Sequence, residues 1–238
     1  TLARKDLPYF LDKAETLYRK LQTMTPEELK KLWKCNDSIV ALNVERLRTS
    51  DLRSRLTPAI LAYEGIQYQY MAPGVFTQEE FDYVQEHLRI LSGLYGVLRP
   101  FDGVTPYRLE MQAKLKLCNA KDLYEYWGAD IAERIYSETD CVINLASKEY
   151  SWAVLPHLPP SVRVVSCVFG ELRPDGKVVE KGTLCKMARG EMVRWLAETG
   201  TTHPDGLPAF QGLGYRYDPD RSTGARMVFL KTTQSSAV

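Results

Sequence analysis

The segment from His87 to Met111, HLRILSGLYGVLRPFDGVTPYRLEM, constrains the backbone more than any other stretch of this chain. It sets Gly93 and Gly96, Pro100 and Pro106, and the three arginines Arg89, Arg99 and Arg108 directly after an amphipathic run. Thr77 is a good helix N-cap, Glu80 stands at the capping-box position, and Phe81, Val84, Leu88 and Leu91 recur at intervals of three and four. This pattern predicts a helix from Gln78 to Leu91. Ser92 and Gly93 should stop it, leaving Leu94 and Tyr95 in a turn between two glycines, where the backbone is free to take positive φ and approach another group. Amides exposed in such a turn suit a phosphate. Arg89 on the helix, Arg99 past the turn and Arg108 beyond Pro106 would add fixed positive charge if the loop folds back. The plainer reading makes Gly93 a helix C-cap, Leu94 and Leu98 core residues, and the arginines ordinary surface charges.

A chain of 238 residues with 45% hydrophobic side chains can bury a substantial core without disulfides. No Gly/Ser-rich or Pro-rich linker and no fixed repeat divides it, so one compact domain over residues 1–238 is expected, with only the tail TTQSSAV reading as disordered. Thirty-one Lys and Arg against thirty Asp and Glu leave a net charge of +1, unlike the strongly basic balance of a typical nucleic-acid module. From Cys141 onward, 12 basic and 9 acidic residues give +3, and the preceding part carries −2. Any nucleic-acid binding should therefore rest on local clusters of cations and be sharply salt-dependent. The five cysteines are widely spaced and odd in number, which predicts reduced thiols and a cytoplasmic protein. Cys141 and Cys167 lie in apolar runs and read as core; Cys185, beside Lys186, is the candidate for a sensing thiol. No apolar run approaches a membrane span, and the first twenty residues lack a signal-peptide core.

The first sixty residues read as three helices. Phe10, Ala14, Leu17, Tyr18 and Leu21 mark the first, Thr25, Pro26 and Glu28 the start of the second, and Ile39, Leu42, Val44 and Leu47 the third. PAILAY, Pro58 to Tyr63, reads as a strand, followed by the aromatic-rich IQYQYM. Leu123, Trp127, Ile131 and Ile135 predict a helix from Asp122 to Tyr136. CVINLAS reads as a buried strand, with Ser147 capping a helix that begins at Lys148. At such a junction Asn144, Ser147, Lys148 and Tyr150 would face a bound anion or base; the alternative is a capped helix with a solvated lysine. VRVVSCVFGEL and KVVEKG, split by Pro174, Asp175 and Gly176, predict a β-hairpin. Leu184, Ala188, Met192 and Trp195 predict a helix from Thr183 to Glu198 that stops at Gly200, with Lys186 and Arg194 on the other side and Arg189 at its edge.

His87, His157 and His203 are remote from one another and form no HExxH or Cys/His cluster, so neither a metal site nor a cofactor is expected. There is no Gly-x-Ser-x-Gly elbow. Glu110 beside Arg108, and Glu149 beside Lys148, are the carboxylates placed for acid–base work.

The His87–Met111 run, LYEYWG from Leu123, NLASKEY from Asn144 and KMARGEM from Lys186, with FLDKAETL from Phe10 and RLTPAILAYEG from Arg55, together resemble the YaaA family of bacterial peroxide stress proteins over nearly the whole chain. The resemblance implies a cytoplasmic protein that protects against hydrogen peroxide, is associated with low intracellular iron, and binds double-stranded or structured DNA in a positively charged cleft. It implies a mixed α+β fold, with a central mixed sheet surrounded by helices and a helix-hairpin-helix-like element at the arginine-rich segment. Two departures stand out. Two residues, not one, separate Gly93 from Gly96, and Pro100 leaves little room for a second helix. The chain also begins at Thr1, without the apolar strand and Ser-Pro-Ala-Lys motif usual in the family.

The expected DNA contacts are Arg89, Gly93, Tyr95, Gly96, Arg99, Arg108, Lys148, Lys186 and Arg189, in a protein acting as a monomer. The competing expectation is an enzyme acting on a nucleotide or nucleobase, with Glu110, Asn144, Ser147 and Tyr150 around the substrate.

Overall fold

The computed structural model describes residues 2–232 and has the expected mixed α and β class, with helices packed against a mixed sheet. The chain forms two compact units, each gathered from three stretches. The first comprises the chain through Ala62, His87–Glu138 and Ala146–Leu158; the second comprises Tyr63–Glu86, Thr139–Leu145 and the chain from Pro159.

In the first unit the three leading helices form as their caps dictate. Leu11–Gln22 buries Ala14, Leu17, Tyr18 and Leu21 along one face. Pro26–Trp33 starts with a reciprocal capping box, in which Thr25 Oγ1 accepts from Glu28 N (3.2 Å) and Glu28 Oε2 accepts from Thr25 N (2.8 Å). Asp37–Thr49 is capped by Asn36, whose Oδ1 accepts from Ile39 N at 3.0 Å. Its buried face is Val40, Asn43 and Leu47, whereas Leu42, expected on the apolar stripe, is exposed.

The strand expected at Pro58–Tyr63 is not formed. Thr57–Pro58 pairs for two residues with Gly103–Val104, and Ala59–Ala62 turns into a helix. The first amides of that turn find partners outside it: Ala59 N donates to Asp102 O and Ile60 N to Pro100 O, both at 2.9 Å.

The arginine-rich segment is a β-hairpin and not a helix-hairpin-helix. The preceding helix does carry its capping box at Thr77 and Glu80 but ends at His87, not Leu91. Ile90–Ser92 then pairs antiparallel with Gly96–Leu98 around a turn at 93–95. Ser92 Oγ accepts from Tyr95 N at 2.9 Å and closes the turn, while Gly96 takes φ +74. Both glycines are required sterically. A Cβ on Gly93 would lie 2.4 Å from Leu109 O, and one on Gly96 would lie 2.8 Å from the Trp127 ring. Trp127 Nε1 also donates to Gly93 O at 3.0 Å, locking the hairpin to the Leu123–Trp127 helix. The single helix expected over 122–136 is broken at Gly128, φ +50, and resumes as Asp130–Tyr136. Leu123, Trp127, Ile131 and Ile135 are nevertheless all buried.

In the second unit Cys141–Asn144, Arg163–Leu172 and Arg226–Lys231 lie side by side in parallel, and Tyr215–Tyr217 adds an antiparallel edge. The expected hairpin is present, with Val178–Val179 returning on Glu171 and Leu172 around a turn in which Gly176 has φ +81. The Gly182–Thr199 helix, one residue longer at each end than its apolar spacing predicted, lies over this sheet and ends as expected at Gly200, in the left-handed conformation. Cys185, Ala188 and Met192 meet Val165, Phe169 and Phe229 there; the last two rings stack with centroids 5.3 Å apart. The same helix packs against Ile66–Met71, where Gly190 brings the two backbones together.

Candidate functional site

Two of the three arginines of the 87–111 segment are committed to the fold. Arg99 Nε donates to Asp102 Oδ1 (2.8 Å), its Nη2 donates to Leu7 O (3.0 Å), and its guanidinium lies 4.0 Å from the Tyr9 ring centroid. Arg134 lies 3.9 Å from the same ring. Tyr9 donates its hydroxyl to Glu138 Oε1 at 2.7 Å, and Arg89 Nε donates to Glu138 Oε2 at 3.1 Å. Burial acts to raise the Glu138 pKa, but the Tyr9 hydroxyl and the Arg89 and Arg134 guanidiniums outweigh it and hold the carboxyl below the usual range. Asp102 is fully enclosed, and burial raises its pKa despite Arg99. Arg89 stands just past the helix, not on it.

The turn expected to offer amides to a phosphate is enclosed. Gly93, Tyr95 and Gly96 are buried, the Tyr95 amide is taken by Ser92, and the Tyr95 hydroxyl accepts from Thr105 N at 3.2 Å. With none of its surface exposed, the Tyr95 ring has no face open to a base.

Arg108 differs from its two neighbours. It is half-buried, and its Nε is enclosed without a hydrogen-bond partner. Tyr107 beside it shares a 2.5 Å hydrogen bond with the Ser92 hydroxyl. Burial raises the Tyr150 pKa, the nearby Tyr107, Glu149 and Glu110 add to the rise, and a hydrogen bond with the Met111 backbone opposes it. Glu110 is exposed, and Glu149 Oε1 accepts from Gln112 N at 3.3 Å. Glu110 and Tyr107 thus lie near enough to Tyr150 to influence its hydroxyl, and Ser92 is bonded to Tyr107. Tyr107 was not singled out in the sequence, and Ser92 only as a helix stop, although both lie within the arginine-rich segment.

Ser147 precedes the Lys148–Ser151 helix, but its side chain makes no capping bond. Lys148 is exposed, and its ammonium has no hydrogen bond or ion pair among the described residues. Asn144 belongs to the second unit, where its Nδ2 donates to Ser166 Oγ at 3.2 Å.

On the Gly182–Thr199 helix, Lys186 is exposed and likewise unpaired among the described residues. Arg189 is mostly enclosed, its side chain 11% exposed and 3.9 Å from the Glu180 carboxylate. Arg194 is engaged by Glu198 at 2.7 Å. Cys185 lacks the exposure a sensing thiol needs, because it is buried and its Sγ donates to Gly182 O at 3.3 Å. Cys167 is buried as expected, whereas Cys141 is only half-buried. Among the described residues there is no group of three or more His, Cys, Asp or Glu placed to hold a metal ion, and no helix is long and apolar enough to cross a membrane.

Residues 1–221 match the family described as "Peroxide stress protein YaaA". Similar proteins include a UPF0246 protein of Desulfitobacterium hafniense, 52% identical over 230 residues that cover 97% of this chain and 91% of the relative. Another, from Lachnoclostridium phytofermentans, is 50% identical over 224 residues, covering 94% and 88%. A third, from Pediococcus pentosaceus, is 49% identical over 225 residues, covering 94% and 89%. With the match running through the hairpin, the polar group around Tyr150 and the Lys186 helix alike, the chain belongs to the YaaA family of peroxide stress proteins.

Proposed function

We propose that the chain serves the peroxide stress response as a cytoplasmic, monomeric DNA-binding protein. In this reading its phosphate contacts come from the exposed lysines Lys148 and Lys186, helped by Arg108, and not from Arg89, Arg99 or the enclosed Arg189 beside Glu180. The observation that carries the reading is the contrast in partnering. Arg89 and Arg99 are satisfied by Glu138 and Asp102, whereas the Lys148 and Lys186 ammoniums are solvated and free to exchange water for phosphate. A net charge of +1 makes such binding depend on those few cations and keeps it modest. Held on DNA, the protein would limit oxidative damage there, in keeping with the low free iron associated with its family.

The test is binding of a duplex, a bubble and a junction across a salt series. Saturable binding whose log affinity falls linearly with log salt, with a slope of about −0.9 for each phosphate neutralised on duplex DNA, supports the reading. Absence of saturable binding to all three at low salt rejects it.

One observation favours a second reading, an enzyme acting on a nucleotide or nucleobase. The enclosed, unpartnered Arg108 Nε lies in the same short segment as Glu110 and Tyr107, with the Tyr150 hydroxyl close to both of those. Turnover of such a substrate, abolished by Glu110→Gln, would support it. A metabolite screen showing neither binding nor turnover would reject it.

A further inference from the structure

The first unit contains a polar recess of about 320 Å³ lined by Thr49, Ser50, Asp51, Ser54, Arg55 and Thr105. We infer that it is a phosphate-binding site with Arg55 as the anion-binding residue. The volume is that of roughly ten waters, at ~30 Å³ each, which suits a phosphate carrying a small group.

Arg55 has φ +53, a left-handed backbone that costs an arginine on the order of 1 kcal/mol and that glycine adopts freely. Its side chain is exposed and has no ion pair or hydrogen bond among the described residues. Arg53, two residues earlier, is held by Glu15 at 2.5 Å. The chain therefore keeps an arginine at a position that disfavours its backbone and gives its guanidinium no internal partner. That combination is explained by a ligand.

The rest of the lining fits an oxyanion. Asp51 is its one acid, and its oxygens are turned into the loop: Oδ1 accepts from Arg53 N (2.7 Å) and Ser54 N (2.8 Å), and Oδ2 accepts from Ser54 Oγ (2.7 Å). The carboxylate shapes the loop that presents Arg55. Thr49 Oγ1 is spent on Glu45 O at 2.8 Å. Ser50 Oγ and Thr105 Oγ1 remain as hydroxyl donors, the latter on a residue whose backbone is fixed by the buried Tyr95 hydroxyl. A fork of N–H donors with two hydroxyls matches a phosphate's oxygens. The phosphate would come either from a small phosphomonoester or from a nucleic-acid backbone. The site does not depend on Lys148 or Lys186, so it stands or falls separately from their role in DNA binding.

The experiment titrates inorganic phosphate, then AMP, then a short duplex into the ¹⁵N-labelled full chain. Phosphate should shift the Ser50, Ser54, Arg55 and Thr105 amides saturably at millimolar concentration. Arg55→Gly should weaken phosphate binding at least tenfold while melting no lower than wild type, because glycine relieves the backbone. Arg55→Lys should fall between them, and Ser50→Ala with Thr105→Val should weaken binding a fewfold. Tighter binding of AMP at the same amides assigns the site to a small phosphomonoester; duplex shifts there that phosphate reverses assign it to a backbone. No saturable shift at these amides, or phosphate binding unchanged in Arg55→Gly, overturns the inference.

Discussion

Replacing Gly190 by alanine sets two opposing effects against each other. Alanine is the better helix former by about 1 kcal/mol, so propensity alone makes Gly190→Ala stabilising in the middle of the Gly182–Thr199 helix. The packing says the reverse. The new Cβ would lie 2.0 Å from Gln67 O, 2.9 Å from Gln67 C and 3.0 Å from Met71 N. A carbon–oxygen contact needs about 3.3 Å, so the Ile66–Met71 helix would have to retreat by about 1.3 Å. The obstruction is backbone and cannot rotate away, which puts the overpacking cost near the top of its usual range, about 3 kcal/mol. The net loss is about 2 kcal/mol, or roughly 4–8 °C in Tm for a chain of this size. Gly182→Ala is the internal control, because nothing lies within 4 Å of its new Cβ and its φ is not positive. Circular-dichroism melts should show Gly190→Ala melting well below wild type and Gly182→Ala melting at or above it. A Gly190→Ala variant as stable as wild type would refute the packing argument.

Glu138→Gln should lower stability at pH 7 by about 1 kcal/mol, through lost charge-assisted bonds to Tyr9, Arg89 and Arg134. Because the folded pKa of Glu138 lies below its unfolded value of about 4.3, this contribution is present above that pH and lost as pH falls through the folded value. Melts at pH 7 and pH 3 should show the gap from wild type closing, and an equal gap at both would contradict the assignment. Thiol labelling of the native protein should mark the exposed Cys118 first and spare Cys167 and Cys185, with burial pushing the Cys167 thiol pKa up to about 12. Labelling of Cys185 as fast as Cys118 would mean that its helix opens readily.

Local chemistry made much of the fold legible. Thr25 with Glu28, Thr77 with Glu80, and the Pro174–Gly176 turn each announce their structure within a few residues, and the long helix shows in its apolar spacing. What failed depended on distant partners. Leu91 continued a helical stripe equally compatible with a strand, and the register was decided by pairing with Val97. The short apolar run at Pro58–Tyr63 turned helical where the 100–102 carbonyls could receive its first amides. Arg226–Lys231, central in its sheet, is too short a run between charges to stand out.

The same holds for the candidate site. Arg89 and Glu138 are 49 positions apart in sequence, and nothing local says that this arginine is neutralised. Gly190 did leave a signal, since a glycine inside a helical pattern marks either a cost or a close approach. Family membership came from motifs, whereas the sorting of cations into fold-bound and free came only from coordinates.

That sorting is tested most directly by duplex binding of the Lys148→Ala/Lys186→Ala double variant over a salt series, with its Tm measured alongside. Unchanged Tm, weaker binding at every salt and a log–log slope shallower by about 1.8 are the predicted result. An unchanged Tm with wild-type affinity and slope would contradict it.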